Sequence, residues 1–204
     1  MKEPAVTALI LAGGRSSRFG RDKLAEPIDG RPLLWHAIDA VRPIADEILV
    51  VAAPGVDPVV PDGVQIVRDR VPFEGPLTGL LAGLLEASAP AVIVAGGDMP
   101  SLVAGVLAKM LAQLEVPVPK KRGRAAHNVD AVVLGSGGKA RPLPMALRRE
   151  PALIATAALL DAGERRLRGV TEALDTRVLG RTAWRALDPE GKTLFDIDEP
   201  SDLA

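Results

Sequence analysis

Apolar residues along this chain fall into two alternating kinds of run. Val6 to Leu11, Glu47 to Ala52, Val64 to Val67 and Ala91 to Ala95 are short and nearly continuous. Such runs read as strands buried on both faces. Between them lie segments whose apolar positions recur every three or four residues. These are Pro32 to Val41, Pro76 through Leu80, Leu81, Leu84 and Leu85, and Ser101 to Leu114, and the spacing predicts helices. Pro32 stands at a first turn, where its missing N–H has no partner to lose. Strands alternating with helices predict an α/β fold: a mostly parallel sheet in a three-layer α/β/α arrangement.

The pattern changes after Leu114. Glu115 to Asn128 is a connection rich in proline and basic residues. A strand over Val129 to Leu134 follows, then a turn at Ser136-Gly137-Gly138 and a returning strand through Pro142 to Leu147. Helical spacing resumes at Ala152 to Leu160 and near Leu167 to Leu174. No repeat or second core is visible, so residues 1–204 read as a single domain. Its two halves divide near residue 114, with the second completing a cleft begun by the first.

Composition narrows the chemistry. A net charge of −1 supplies no global field toward nucleic acid or an anionic membrane. The absence of cysteine removes disulfides, thiolate catalysis and zinc–thiolate sites. With no tyrosine and two tryptophans, stacking platforms for single-stranded nucleic acid are not expected. No leader segment and no apolar run of spanning length is seen, which points to the cytoplasm. His36 and His127 lie far apart and read as structural. Lys120-Lys121-Arg122-Gly123-Arg124 reads as a solvated loop rather than a nucleic-acid patch.

The densest chemical signal follows the first strand: Leu11-Ala12-Gly13-Gly14-Arg15-Ser16-Ser17-Arg18-Phe19-Gly20, then Arg21-Asp22-Lys23. Glycines let backbone N–H groups approach an oxyanion, and clustered cations neutralise a large charge. A plain turn has no use for three arginines and a lysine within nine residues. Neither a Walker loop nor a dinucleotide fingerprint fits the glycine spacing. A triphosphate at the C-terminal end of a parallel strand is the natural ligand. Asp98 follows the fourth strand through Gly96-Gly97 and suits a hard cation such as Mg²⁺, the alternative being an N-cap for the next helix. Asp69, after the third strand, is either part of the site or a partner of Arg68 or Arg70. Asp196 and Asp198 divide evenly between a second metal ligand and a cap for the final turn. Phe73 to Gly79 forms a glycine turn leading into a helix N-terminus, with its unpaired N–H groups.

Together these stretches carry a resemblance. The loop with Lys23 looks like the signature of nucleotidyltransferases with a Rossmann-like α/β fold. Arg68-Asp69, Gly75-Pro76-Leu77-Thr78-Gly79-Leu80, Asp98-Met99-Pro100, Arg141-Pro142-Leu143 and the closing Phe195 to Leu203 resemble the molybdenum-cofactor guanylyltransferases. That resemblance implies transfer of GMP from GTP to the phosphate of molybdopterin, with Mg²⁺ and release of pyrophosphate. It implies that Leu11, Ala12, Gly13 and Gly14 hold the nucleotide, with Lys23 on its phosphates. Asp69 would contribute to nucleotide binding, Asp98 would bind the metal, and Gly75 to Gly79 would border the base. Catalysis would rest on Lys23, Arg15 and Asp98, with Arg18 as a further cation. Arg141, Arg148, Arg165 and Arg166 are candidates for the second anionic substrate. The chain departs from the family pattern at Ala52-Ala53, at Arg141 and at Asp196 and Asp198. A monomer or small homo-oligomer with no nucleic-acid or membrane partner is expected. The rival readings are a related enzyme using CTP or a sugar-phosphate acceptor, and a nucleotide-binding regulator without catalysis.

Overall fold

A computed structural model describes residues 5–13, 22–69, 75–119 and 126–203. Nine strands occur among them: β1 (Val6–Leu11), β2 (Pro27–Ile28), β3 (Arg31–Pro32), β4 (Glu47–Ala52), β5 (Gln65–Arg68), β6 (Ala91–Gly96), β7 (Ala131–Ser136), β8 (Lys139–Arg148) and β9 (Thr176–Leu179). The helices are α1 (Leu33–Val41), α2 (Pro76–Glu86), α3 (Ala104–Leu114), α4 (Arg149–Asp161), α5 (Leu167–Ala173) and α6 (Arg181–Trp184). Seven strands form one sheet in the order β5-β4-β1-β6-β8-β7-β9, and β2 and β3 make a small separate hairpin. β5, β4, β1 and β6 run parallel, whereas β8 is antiparallel to both neighbours, β6 and β7.

Strand alternation explains the two covered faces. Ala8, Ile10, Ile48, Val50, Ile93 and Ala95 point to one side, where α1, α3 and Trp184 pack on them. Leu9, Leu49, Val92 and Val94 point to the other, against Leu77, Leu80 and Leu84 of α2, with α4 and α5 alongside. A strand buried on both sides needs apolar residues at every position, which is why these runs are continuous. The strand order doubles back between β1 and β6. In open α/β sheets, that reversal leaves a crevice at the carboxyl ends of the two strands.

Several boundaries differ from the sequence pattern. α3 begins at Ala104 instead of Ser101, because Pro100 and Ser101 belong to a turn. The strand expected from Val129 begins at Ala131, and the returning strand is longer, reaching from Lys139 to Arg148. β9, α6 and the β2–β3 hairpin were not legible, being two to four residues long and without periodicity. The connection after Leu114 is pinned by a bridge between Val118 and His127, and Lys120 to Arg124 fall outside the described residues.

The last turns hang on a buried aspartate. Asp188 accepts the backbone N–H groups of Gly191, Lys192 and Thr193 at 2.8–3.0 Å. Burial pushes its carboxyl up, but these bonds and the Thr193 hydroxyl outweigh that and hold it below the usual range. Asp188→Ala would leave three donors without their acceptor and is expected to cost about 3 kcal/mol in urea denaturation at neutral pH. Because the folded-state pKa is depressed, this stabilisation is complete above the ordinary carboxylate range. It is lost as pH falls through the lower folded value, so the wild-type advantage over the variant should shrink in acid.

Candidate active site

The C-terminal ends of β1 and β6 converge on one ion pair. Lys23 begins a short 3-10 turn, Lys23–Ala25, set by Asp22, whose carboxylate accepts the Leu24 N–H. From there Lys23 Nζ donates to Asp98 Oδ2 at 2.7 Å and to the Ile197 carbonyl at 2.9 Å. Both side chains are partly covered, 16% exposed for Lys23 and 27% for Asp98. An ammonium has three N–H donors, and these two bonds leave one for another anion.

Asp98 reaches this position because Gly96 lacks a side chain. A Cβ there would lie 2.4 Å from Asp98 Oδ1, an impossible contact. The turn is fixed from below by Met99, buried, whose sulfur lies 3.4 Å from the Gly96 N–H. From the sides, Gly97 N–H donates to the Leu11 carbonyl and Ile197 N–H to the Asp98 carbonyl. With α3 starting six residues beyond Asp98, the N-cap reading of Asp98 is excluded; Val103 holds the cap position.

Leu11 and Ala12 continue the sheet into this rim, Ala12 N–H donating to the Val51 carbonyl at 2.8 Å. A Cβ on Gly13 would meet nothing within 4 Å, so packing among the described residues does not require glycine there. Gly14, Arg15 and Arg18 lie outside the described residues. On the far side of β1, Thr78 Oγ1 sits 2.6 Å from Asp69 Oδ2 and 2.8 Å from the Gly75 carbonyl. One hydroxyl thus ties the end of β5 to the turn that opens α2. Gly75 adopts φ +105, and a Cβ there would come 2.9 Å from the Arg165 carbonyl, so only glycine fits. Arg68 pairs instead with Asp57 and the Val56 carbonyl, which removes it as the partner of Asp69; Arg70 lies outside the described residues.

The closing segment adds charge. Asp196 has its carboxyl pushed up by burial first, then by the neighbouring carboxylates of Asp198 and Asp98, with Arg141 opposing. Three carboxylates therefore share one electrostatic neighbourhood with Lys23 and Arg141. The cap expected of Asp196 or Asp198 falls to Asp202, which accepts the N–H groups of Asp198 and Glu199.

Residues 8–178 match the model of the MobA-like NTP transferase domain. The chain belongs to this family. It is 38% identical over 172 residues to the molybdenum cofactor guanylyltransferase of Burkholderia ambifaria, a match covering 81% of this chain and 80% of that protein. It is 32% identical over 205 residues to the probable molybdenum cofactor guanylyltransferase of Chloroflexus aggregans, covering 97% and 91%. Among solved structures, molybdopterin-guanine dinucleotide biosynthesis protein A from Archaeoglobus fulgidus superposes with a TM-score of 0.75 at 20% identity, covering 97% and 94%. The 2-C-methyl-D-erythritol 4-phosphate cytidylyltransferase of Thermus thermophilus superposes at 0.65 with 20% identity, covering 99% and 96%. The same α/β/α frame is thus shared by proteins named for different bases.

As a MobA-like NTP transferase the chain is an enzyme of nucleotidyl transfer, and among its described residues no helix is long and apolar enough to cross a membrane. The candidate arginines separate by position. Arg148 is bound to scaffold: its guanidinium donates to the Leu114 and Val129 carbonyls and to Glu115. It pairs with Ala91 at the N-terminal end of β6, the opposite end from Asp98, and so is removed from the substrate set. Arg165 donates to the Leu160 and Glu164 carbonyls, and Arg166 is an exposed partner of Glu164. That carboxyl is held at about 2, chiefly by the Arg166 guanidinium and the N–H groups of Arg166 and Arg165. Arg141 stands at the Asp98 end, because β8 runs antiparallel to β6. His36 lies 3.0 Å from the Ile28 carbonyl, and His127 lies 2.6 Å from Asp175, both in structural settings. What the sequence reading missed is the Ile197 carbonyl, a backbone acceptor with no side-chain signature.

Proposed function

We propose that this enzyme transfers GMP from GTP to the phosphate of molybdopterin, releasing pyrophosphate, in the cytoplasm and as a monomer or small homo-oligomer. The observation that carries the reading is the Lys23–Asp98 pair at the crevice between β1 and β6, in a chain whose β1 is followed in sequence by a glycine- and arginine-rich stretch. Residues 1–114 would hold the nucleotide and residues 115–204 would complete the acceptor side. The curated relatives' names supply the substrates, and the contact of Lys23 with Asp98 at the strand-order reversal supports the reading.

In the reaction an acceptor phosphate oxygen forms a bond to the α-phosphorus while the bond from that phosphorus to the bridging oxygen breaks. The nucleophile is already anionic at neutral pH, so no residue need remove a proton. The obstacle is repulsion between anions. Lys23 directs its remaining N–H to the phosphates, Arg15 and Arg18 add permanently charged donors, and backbone groups of Leu11 to Gly14 orient the chain of phosphates. Asp69, steadied by Thr78, and the Gly75–Gly79 turn border the nucleoside. Arg141 faces the acceptor.

The donor set fits Mg²⁺. Asp98, Asp196 and Asp198 are hard oxygen donors; burial first and then the other two carboxylates raise the Asp196 carboxyl, and a nearby dication would offset the part due to repulsion. Among the described residues no group of three or more His, Cys, Asp or Glu side chains is placed to hold a metal ion. Ligation by one or two carboxylates, with phosphate oxygens supplying the rest, is the usual arrangement for this ion. Asp98 would hold it with help from the closing segment, and the ion would supply charge neutralisation on the transferred phosphate and the departing pyrophosphate.

The deciding experiment gives the purified chain Mg²⁺ and molybdopterin and compares GTP, CTP and ATP by pyrophosphate release. Turnover with GTP at least about tenfold above the others, an advantage of about 1.4 kcal/mol, is expected. Preference for CTP would move the enzyme to its rival class, which the cytidylyltransferase fold likeness makes the specific alternative. No turnover with any of the three would leave a nucleotide-binding regulator.

A further inference from the structure

The Lys23–Asp98 pair does not hold itself in place. Lysine carries its charge on a flexible four-carbon stem, and an ion pair open to solvent orders its side chains only weakly. Yet Lys23 Nζ stands 2.7 Å from Asp98 Oδ2, with both side chains partly covered. The order has to come from what packs around them.

Residue 197 touches both members of the pair. Its N–H donates to the Asp98 carbonyl at 2.9 Å, and its own carbonyl accepts from Lys23 Nζ at 2.9 Å. The Ile197 side chain explains why this backbone stays put. Alone among residues 195–200 it is buried, only 1% exposed. It clusters with Leu33, fully buried at the start of α1, and Leu24 and Ile28 pack against the two. This cluster is distinct from the large cores on the two faces of the sheet, and Leu24 joins it to one of them.

Leu24 works from the other side of the pair. It follows Lys23 in the 3-10 turn, and a Cβ on Gly97 would lie 3.3 Å from each of its Cδ atoms. Neighbours in sequence therefore meet neighbours in sequence, Leu24 over Gly97 and Lys23 against Asp98. The β2–β3 hairpin carries Ile28 into the cluster. It is fastened to α1 by the Leu33 N–H, 2.8 Å from the Glu26 carbonyl, and by the His36 ring, 3.0 Å from the Ile28 carbonyl.

We propose that Ile197 and Leu24 are positioning residues for nucleotidyl transfer, their burial in this small cluster setting the Lys23 ammonium on Asp98 before any phosphate arrives. The inference rests on the reading that Lys23 and Asp98 serve that reaction. A side chain that only filled a core would stabilise the fold without reaching the pair. Ile197 reaches it through its own backbone. A shift of about 1 Å at residue 197 would carry its carbonyl beyond hydrogen-bond range of Lys23, and displacements of that size at a reacting centre cost rate steeply.

Two measurements on the full chain test this, and one is independent of activity. In the first, N-hydroxysuccinimide acetate labels the lysines at limiting dose and mass spectrometry follows each site. Ile197→Ala is expected to speed labelling of Lys23 about fivefold, the scale of one lost hydrogen bond, with Lys109 and Lys139 unchanged. In the second, pyrophosphate release with GTP and molybdopterin should show kcat/KM lowered by about 10–10²-fold. Ile197→Val should recover most of that loss. In a Lys23→Ala background, Ile197→Ala should cost no more than about twofold further, because its effect passes through the missing ammonium. If Ile197→Ala fails to fold, Leu24→Ala carries the same expectations. Labelling that stays unchanged, or rises equally at all three lysines, overturns the proposal. So does faster labelling with kcat/KM unaltered, or an equal loss in both backgrounds. Failure of the underlying reading looks different. Wild-type enzyme would then release no pyrophosphate, which removes the catalytic purpose and overturns the inference, while the labelling would still tell whether residue 197 holds Lys23.

Discussion

Asp98→Asn is expected to lower nucleotidyl transfer by at least about 10³-fold, equivalent to about 4 kcal/mol of transition-state stabilisation, with little change in melting temperature. Asparagine keeps the shape that fits against Gly96, and the lost ion pair with Lys23 is partly exposed, so its removal costs stability on the order of 1 kcal/mol or less. What disappears is an anionic oxygen donor at the meeting point of β1, β6 and the closing segment. Ground-state binding should respond in the opposite sense. Without Mg²⁺, the variant should bind GTP as tightly as wild type or more tightly, because a carboxylate facing phosphates repels them and Lys23 gains a free N–H. Pyrophosphate release, Mg²⁺ titration and a thermal melt measure the three quantities. Activity within tenfold of wild type would remove Asp98 from the metal site.

Lys23→Ala carries the second large effect. Loss of one electrostatic contact to the transferring phosphates predicts a fall of about 10²–10³-fold in kcat/KM, or about 3–4 kcal/mol. Lys23→Arg is not expected to rescue it. The ammonium sits among Asp98 Oδ2, the Ile197 carbonyl and an incoming phosphate as a compact point donor, and a planar guanidinium cannot take that place. Because Lys23 and Asp98 touch, their effects should not add. The double variant should fall about as far as Asp98→Asn alone, read from the same pyrophosphate assay in a double-mutant cycle. Near-normal turnover of Lys23→Ala would exclude it from the mechanism.

The site makes physical sense as a place where opposing charges are balanced. The rim already contains Asp98, Asp196 and Asp198 against Lys23 and Arg141, so neither a bare polyphosphate nor a bare dication is favoured strongly without the other. On the proposed reading, a metal–nucleotide complex would satisfy both sets. Rigid supports hold this balance in place: the Met99 sulfur beneath Gly96, and the 188–193 turn behind Phe195. Preorganised charge of this kind costs no reorganisation during the reaction.

Much of this was written in the chain itself. The continuous apolar runs of β1, β4 and β6 and the helical spacing of α1 and α2 determined a parallel, doubly covered sheet, since only burial on both faces calls for such runs. The glycine–arginine loop, Asp69 and Asp98 could each be marked as strand-end chemistry, because parallel strands deliver their carboxyl ends to one side; the closing aspartates, expected at a strand end, lie instead between two 3-10 turns. Tertiary structure alone decided which of them meet. Lys23 and Asp98 are 75 residues apart, and their 2.7 Å contact depends on β1 and β6 being neighbours where the strand order reverses. It also separated Arg141 from Arg148. Seven residues apart on one strand, they lie at opposite ends of the sheet, and only the antiparallel pairing of β8 with β6 tells which end faces the site. Local sequence encodes what a segment prefers by itself; distant pairing is set by how whole faces bury one another, and no short window contains that information.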